Sequence, residues 1–186
     1  RGDQRQPKGN LPNRILHTRV ADAVVATNSV MARHFAEKMH VPAERLRMIL
    51  GGVDTERFRF DSEGRMEVRA RYGFTDDECV VGLLGRFDLV KGQRETIAAL
   101  AKLVGEGVRN IRLLLLGFST ATLQEEVEAW IREAGMERYV TITGKVPDVT
   151  ACLSALDVGV VASLWSETIA RAALEIMACG RPLVST

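Results

Sequence analysis

The sequence predicts an α/β protein in which a parallel β-sheet is covered by helices on both faces. From Ala21 onward, short β-branched and aliphatic runs alternate with longer amphipathic stretches. The runs are apolar throughout rather than alternating with polar residues, as strands buried on both sides are. Helical stretches of ten or more residues separate most of the later strands, so consecutive strands must cross over and lie parallel.

The opening "RGDQRQPKGN" (1–10) has no periodicity and reads as a loop or tail rather than a signal peptide. "AVVAT" (23–27) reads as a buried strand. Asn28 or Ser29 then caps a helix running to about Met39, and Pro42 starts the next segment. "LRMIL" (46–50) is a second strand, stopped by Gly51 and Gly52. Asp54 is placed to cap the short turn "TERF", and a helix over roughly 62–72 ends at Gly73.

The rhythm then becomes regular. "CVVGLLG" (79–85) is a strand, and the helix after it stops near Gly105 or Gly107. "IRLLLLG" (111–117) is a strand, followed by a helix with its stop at Gly135. "YVTITG" (139–144), the short helix in "PDVTACLSA" and "DVGVVAS" (157–163) continue the alternation. The last helix starts near Thr168, ends at Gly180 with Pro182 beyond it, and leads into the strand "PLVS". The pattern is Rossmann-like from residue 76 onward (76–186), preceded by a linker segment (54–75) and by a piece of different rhythm (1–53).

The chain has 186 residues, 46% hydrophobic and 26% charged, with a formal net charge of +1. That balance argues against a dedicated nucleic-acid binder, which carries a basic face. Cys79, Cys152 and Cys179 lie far apart in apolar contexts and read as buried free thiols of a reducing compartment. No apolar run is long enough to cross a bilayer. His17, His34 and His40 are scattered and no Asp-x-Asp occurs, so no metal site is expected.

Sheets of this kind bind ligands beyond the carboxyl ends of their strands. In "LLGRFDLVKG" (83–92), Gly85 ends the strand, Arg86 leaves it, and Lys91 with Gly92 begins the next helix. Two cations beside a helix N-terminus suit a diphosphate; the alternative is a solvated loop with incidental basic residues. Gly117, after the next strand, admits close backbone approach or is simply the strand's exit. Main-chain groups at Lys145 and Val146 could bond a nucleobase edge. In the last helix, Glu167 stands at the N-terminal edge, as a ligand contact or as a partner of the helix dipole. Glu175 lies two turns further on among Ala, Leu, Ile and Met. The span from 167 to 175 is ~12 Å of helix axis, so both glutamates can border one cleft. A buried carboxylate needs partners, and ribose hydroxyls would supply neutral donors.

Taken together, "GRFDLVKG", "VTITGKVPDVTACLSALDVGVVAS", and Glu167 and Glu175 with "EIMACGRPLVST" resemble the nucleotide-sugar-binding half of a family 4 glycosyltransferase. "ADAVVATNSVMARHFAEK" is similar to the last strand and helix of that family's acceptor domain, and "LRMILGGVDTERF" to the crossing into the donor domain. The resemblance runs from about Arg19 to the end. It implies the GT-B architecture, two Rossmann-like domains facing across a cleft, and on that comparison the chain reads as a fragment. It further implies transfer of a sugar from a nucleotide diphosphate to an acceptor hydroxyl with retention, without metal or resident cofactor.

Residue by residue, the resemblance assigns Arg86 and Lys91 to the donor diphosphate; Gly85, Gly117, Lys145 and Val146 join them as donor-binding candidates from their places at the strand ends. It assigns Glu167 to the sugar, the main chain of Thr168, Ile169 and Ala170 to sugar and phosphate, and Glu175 to the ribose. Arg86, Lys91 and Glu167 are its candidates for catalysis. Two departures stand out. Gly51 replaces the family's common Asn, and Ala170 stands where glycine is common. A glycan or glycolipid acceptor, cell-envelope polysaccharide or lipopolysaccharide assembly, and a cytoplasmic place at the inner membrane face are the expected setting. A nucleotide-sugar epimerase of GT-B fold and a binding module without turnover are the alternatives.

Overall fold

The computed structural model describes residues 7–165 and 170–186. Two units divide it, one reaching to Gly52 and including Trp165, the other made of Val53–Leu164 and Ala170–Thr186.

In the first unit, α1 (Leu11–Ile15) runs into a π-helical turn at Leu16–Val20, neither of which the sequence announced. Strands β1 (Val24–Ala26) and β2 (Leu46–Met48) pair parallel, Val24 opposite Leu46. Between them lies α2 (Ser29–Glu37), whose cap is Asn28: its side chain accepts from the Met31 N–H at 2.8 Å. Val24, Ala26, Phe35, Met39 and Val41 form a small core.

The second unit carries the expected sheet. Its strands are β3 (Cys79–Leu84), β4 (Ile111–Leu116), β5 (Val140–Ile142), β6 (Val158–Val161) and β7 (Leu183–Ser185). They lie in the order β5-β4-β3-β6-β7, every pair parallel. Side chains alternate between faces along a strand. Val80, Leu114 and Leu116 therefore join one cluster, and Leu83, Leu113 and Leu115 the other. The first cluster packs under α6 (Val149–Ser154) and α7 (Arg171–Ala178), the second under α4 (Gln93–Gly105) and α5 (Gln124–Glu133). Helices on both faces of a parallel sheet are the predicted class.

Residues 54–75, expected as a linker, are built into this unit. Asp54 caps the turn as expected, its carboxylate accepting from the N–H groups of Glu56 and Arg57. Phe58, Val68 and Phe74 are buried in the first cluster. Helix α3 (Ser62–Tyr72) sends Arg65 and Arg69 to Asp157, at 2.7 and 3.1 Å. Asp157 also accepts from the Val80 N–H at 2.8 Å, fixing the amino ends of β3 and β6 together. Burial alone would raise the Asp157 carboxyl, but the Val80 N–H and the two guanidinium groups outweigh it and hold it below its ordinary value.

The cysteines are free. Cys152 and Cys179 are buried as expected, and burial pushes the Cys152 thiol up to about 11. Cys79 is only partly buried, because it is the first residue of β3, at the end of the sheet where cover is thinner. No helix among the described residues is long and apolar enough to cross a membrane.

Candidate functional site

A parallel sheet presents all its carboxyl ends along one edge, so the loops after β3, β4, β5 and β6 share it. In the order β5-β4-β3-β6-β7 the connection reverses direction at β3. The helix after β3 covers one face and the helix after β6 the other. A crevice opens at such a switch point, and ligands of doubly wound sheets occupy it. Arg86 and Lys91 follow β3, and Ala170 caps α7 after β6, so the fold brings these candidates to the switch point.

The β3 loop is tightly held. The buried Gln93 donates its Nε2 to the Arg86 carbonyl at 2.9 Å. Asp88 accepts from the Val90 N–H at 3.1 Å and starts a short 3-10 turn, Leu89–Lys91. Val90 accepts from the Leu164 N–H at 2.9 Å, tying this loop to the one after β6. Gly92 has φ +72°, and a Cβ there would stand 2.0 Å from the Ala162 carbonyl oxygen, so only glycine fits. Lys91 lays its stem over Gly85, where an added Cβ would lie 3.5 Å from the lysine Cδ. Arg86 pairs with Asp88 at 3.2 Å, yet its side chain stays 59% exposed. Exposed pairs contribute at most about 1 kcal/mol, so Asp88 orients the guanidinium without withholding it from an anion.

Gly117 sits against the same loop. A Cβ on it would meet the Gly85 carbonyl oxygen at 2.1 Å. The approach that requires glycine is therefore that of β3's own backbone, independent of any ligand. The neighbouring Phe118 carbonyl accepts from the Phe87 N–H at 2.9 Å. After β5, Val146 packs against the first cluster while Lys145 is exposed, its Nζ 4.7 Å from the Phe118 ring centroid.

On α7, Glu175 is mostly buried, its side chain 14% exposed and 3.6 Å from Arg171. Burial raises its carboxyl above the ordinary value, and the charges of Arg171 and Arg57 only partly oppose this. Arg57 also lines a cavity of about 580 Å³ where residues 56–63 meet the start of α6, together with Arg59, Glu63 and Asp148. None of the β3-loop residues lines that cavity, and the switch-point geometry is the better guide to the chemistry. Glu167, Thr168 and Ile169, with the expected helix start, lie outside the described residues, where α7 begins at Arg171.

The sequence reading therefore brings Gly85, Arg86, Lys91, Gly117, Lys145, Val146 and Ala170 to one sheet edge, and Glu175 to the helix beside it. It missed Asp88, Gln93, Arg57 and Phe118. The signal for Gln93 was available, since a polar residue opening an apolar helix after Lys-Gly asks for a local partner.

Comparison with known proteins agrees with this geometry. The family model for "Glycosyl transferases group 1" matches residues 78–186. A D-inositol 3-phosphate glycosyltransferase of Acidothermus cellulolyticus is 30% identical over 173 residues, 89% of this chain and 38% of that protein. The crystal structure of Anabaena Alr3699/HepE in complex with UDP and glucose superposes with a TM-score of 0.79 at 25% identity, over 94% of this chain and 47% of that one. WaaG, a glycosyltransferase involved in lipopolysaccharide biosynthesis, shares the fold with a TM-score of 0.78 at 19% identity, over 92% of this chain and 46% of that one. The chain thus spans less than half the length of these relatives. With more than half of its residues matched by the family model, and a switch-point loop that fits the match, the chain belongs to the group 1 glycosyl transferases.

Proposed function

We propose that this chain binds the donor in a retaining, family 4 glycosyltransferase that moves a sugar from a nucleoside diphosphate to an acceptor hydroxyl. The observation that carries it is the β3 loop at the switch point, with Arg86 exposed and Lys91 beside it on a backbone held by Gln93. Charge develops on the leaving diphosphate as the anomeric bond breaks, and fixed cations there stabilise the transition state more than the ground state. Arg86 and Lys91 supply those cations. The acceptor oxygen attacks the anomeric carbon on the face the diphosphate leaves, and a phosphate oxygen takes the hydroxyl proton. Glu175 accepts from the ribose, Glu167 from the sugar, and the Lys145–Val146 main chain meets the base. That Anabaena HepE was solved with UDP and glucose supports a nucleotide-sugar donor of this type. A glycan or glycolipid acceptor, a role in cell-envelope polysaccharide or lipopolysaccharide assembly, and work at the cytoplasmic membrane face complete the proposal.

Calorimetry of the chain with UDP, GDP, ADP and their glucose conjugates tests it. Binding of one nucleoside diphosphate, tightened or matched by its sugar conjugate, is expected. Failure of all of them to bind would overturn the donor assignment.

A further inference from the structure

We propose that Phe118 is a stacking platform for the donor's nucleobase and, with Lys145 on its ring, a residue that sets nucleotide preference. The inference rests on the donor reading above. Phe118 is the first residue beyond Gly117 at the end of β4, and it is 39% exposed on the edge where the sheet receives ligands. A lone exposed phenylalanine in a loop is ordinary. This one is not lone: its backbone is fixed by the bond from the Phe87 N–H at 2.9 Å, and its ring meets the Lys145 ammonium at 4.7 Å.

The placement matches the length of a nucleotide. Neighbouring strands are about 4.8 Å apart. Phe118 thus stands one strand from the Arg86 loop and Lys145 two strands away, on the side of the sheet away from β6. A diphosphate at Arg86 and Lys91 leaves the nucleoside to reach toward these strand ends. Lys145 leads into α6, which packs on the same face of the sheet as α7, the helix that carries Glu175. Every base offers a π-face, so an aromatic ring holds it whatever its hydrogen-bonding edge. The Lys145 ammonium lies over one face of the ring, so a stacking base takes the other, and the charge beside it favours carbonyl-bearing base edges, which is where discrimination among bases enters.

The test is titration of the 186-residue chain with UDP, GDP, ADP and their glucose conjugates at low and high salt, for wild type, Phe118→Ala, Phe118→Trp and Arg86→Ala. Far-UV circular dichroism checks that each variant is folded. Phe118→Ala is expected to weaken the preferred diphosphate about tenfold, by the same factor at both salt concentrations. Phe118→Trp retains affinity with an altered order among the three nucleotides. Arg86→Ala flattens the salt dependence instead. Unchanged affinity in Phe118→Ala, or a loss confined to the sugar conjugate with the bare diphosphate unaffected, would overturn the platform while leaving the donor reading standing. Absence of nucleotide binding by the wild type would overturn both.

Discussion

At the scale of single residues, charge and burial separate two kinds of role. Arg86→Ala and Lys91→Ala each remove a cation from the proposed phosphate site without touching the core. Each is expected to weaken nucleoside-diphosphate binding by one to two decades, since charge-assisted contacts contribute about 1.5–3 kcal/mol. Melting temperatures should stay near wild type, and equal nucleotide affinities in wild type and both variants would remove the assignment. Glu175 behaves differently. Burial raises its carboxyl, so the folded protein holds that proton more tightly than the unfolded chain. The resulting stability is fully present below the ordinary value of 4.5 and is lost as pH rises through the folded value. Glu175→Gln should therefore leave the unliganded protein at least as stable as wild type at pH 7, with the difference vanishing in acid. The same substitution should weaken nucleotide binding by about tenfold or more. Thermal melts across pH, paired with calorimetry, check both halves. A stability loss at neutral pH would mean that the carboxylate holds the fold together instead.

At the scale of elements, what the sequence disclosed was what is local. Asn28 and Asp54 announced their turns because a cap bonds an N–H two or three residues on. The Arg86–Lys91 loop was legible because strand end, basic residues and glycine lie within one short segment. Helix α3 was not legible as part of the domain. Its reason for being there is Asp157, far along the chain, and no periodicity reports a partner at that distance. Phe118 was missed for a related reason, since only the pairing of β4 with β5 puts Lys145 beside it. The α3 anchor can be broken. Asp157→Ala leaves the buried Arg69 without its carboxylate and should cost about 3 kcal/mol by denaturant unfolding. Because the Asp157 carboxyl is held below its ordinary 3.8, its contribution is present above that pH and lost as pH falls through the folded value. Wild type and variant should therefore converge in strong acid, and a gap that persists there would point to packing rather than charge.

At the scale of the whole molecule, the hydrophobic clusters sort by unit. The two that flank the five-stranded sheet draw on residues from Val53 onward, while the third belongs to residues 21–46. A two-stranded sheet with so few buried side chains is marginal alone. It also leaves Val25, Val30, Met48, Ile49 and Leu50 exposed. A chain beginning at Val53 is expected to unfold in one cooperative step, to match the 186-residue chain in the proposed nucleotide binding, and to sediment with less self-association. Residues 1–52 alone should show no cooperative melt. Loss of cooperative unfolding in the shorter chain would mean that the first unit is needed to complete the second. The same division explains which parts of the fold class were readable: the regular alternation after residue 76 is one sheet built by one rule, and the sequence before it serves two cores at once.

The close approach of Gly117 to the Gly85 carbonyl has a practical consequence for anyone wishing to alter the proposed donor preference. Positions 92 and 117 tolerate no side chain, so randomising them would return misfolded chains and no new specificities. The freedom lies one step outward, at 118 and 145, where side chains reach solvent from a foundation that does not shift. A small library confined to those two positions would test the proposed nucleotide preference while leaving the proposed phosphate site intact.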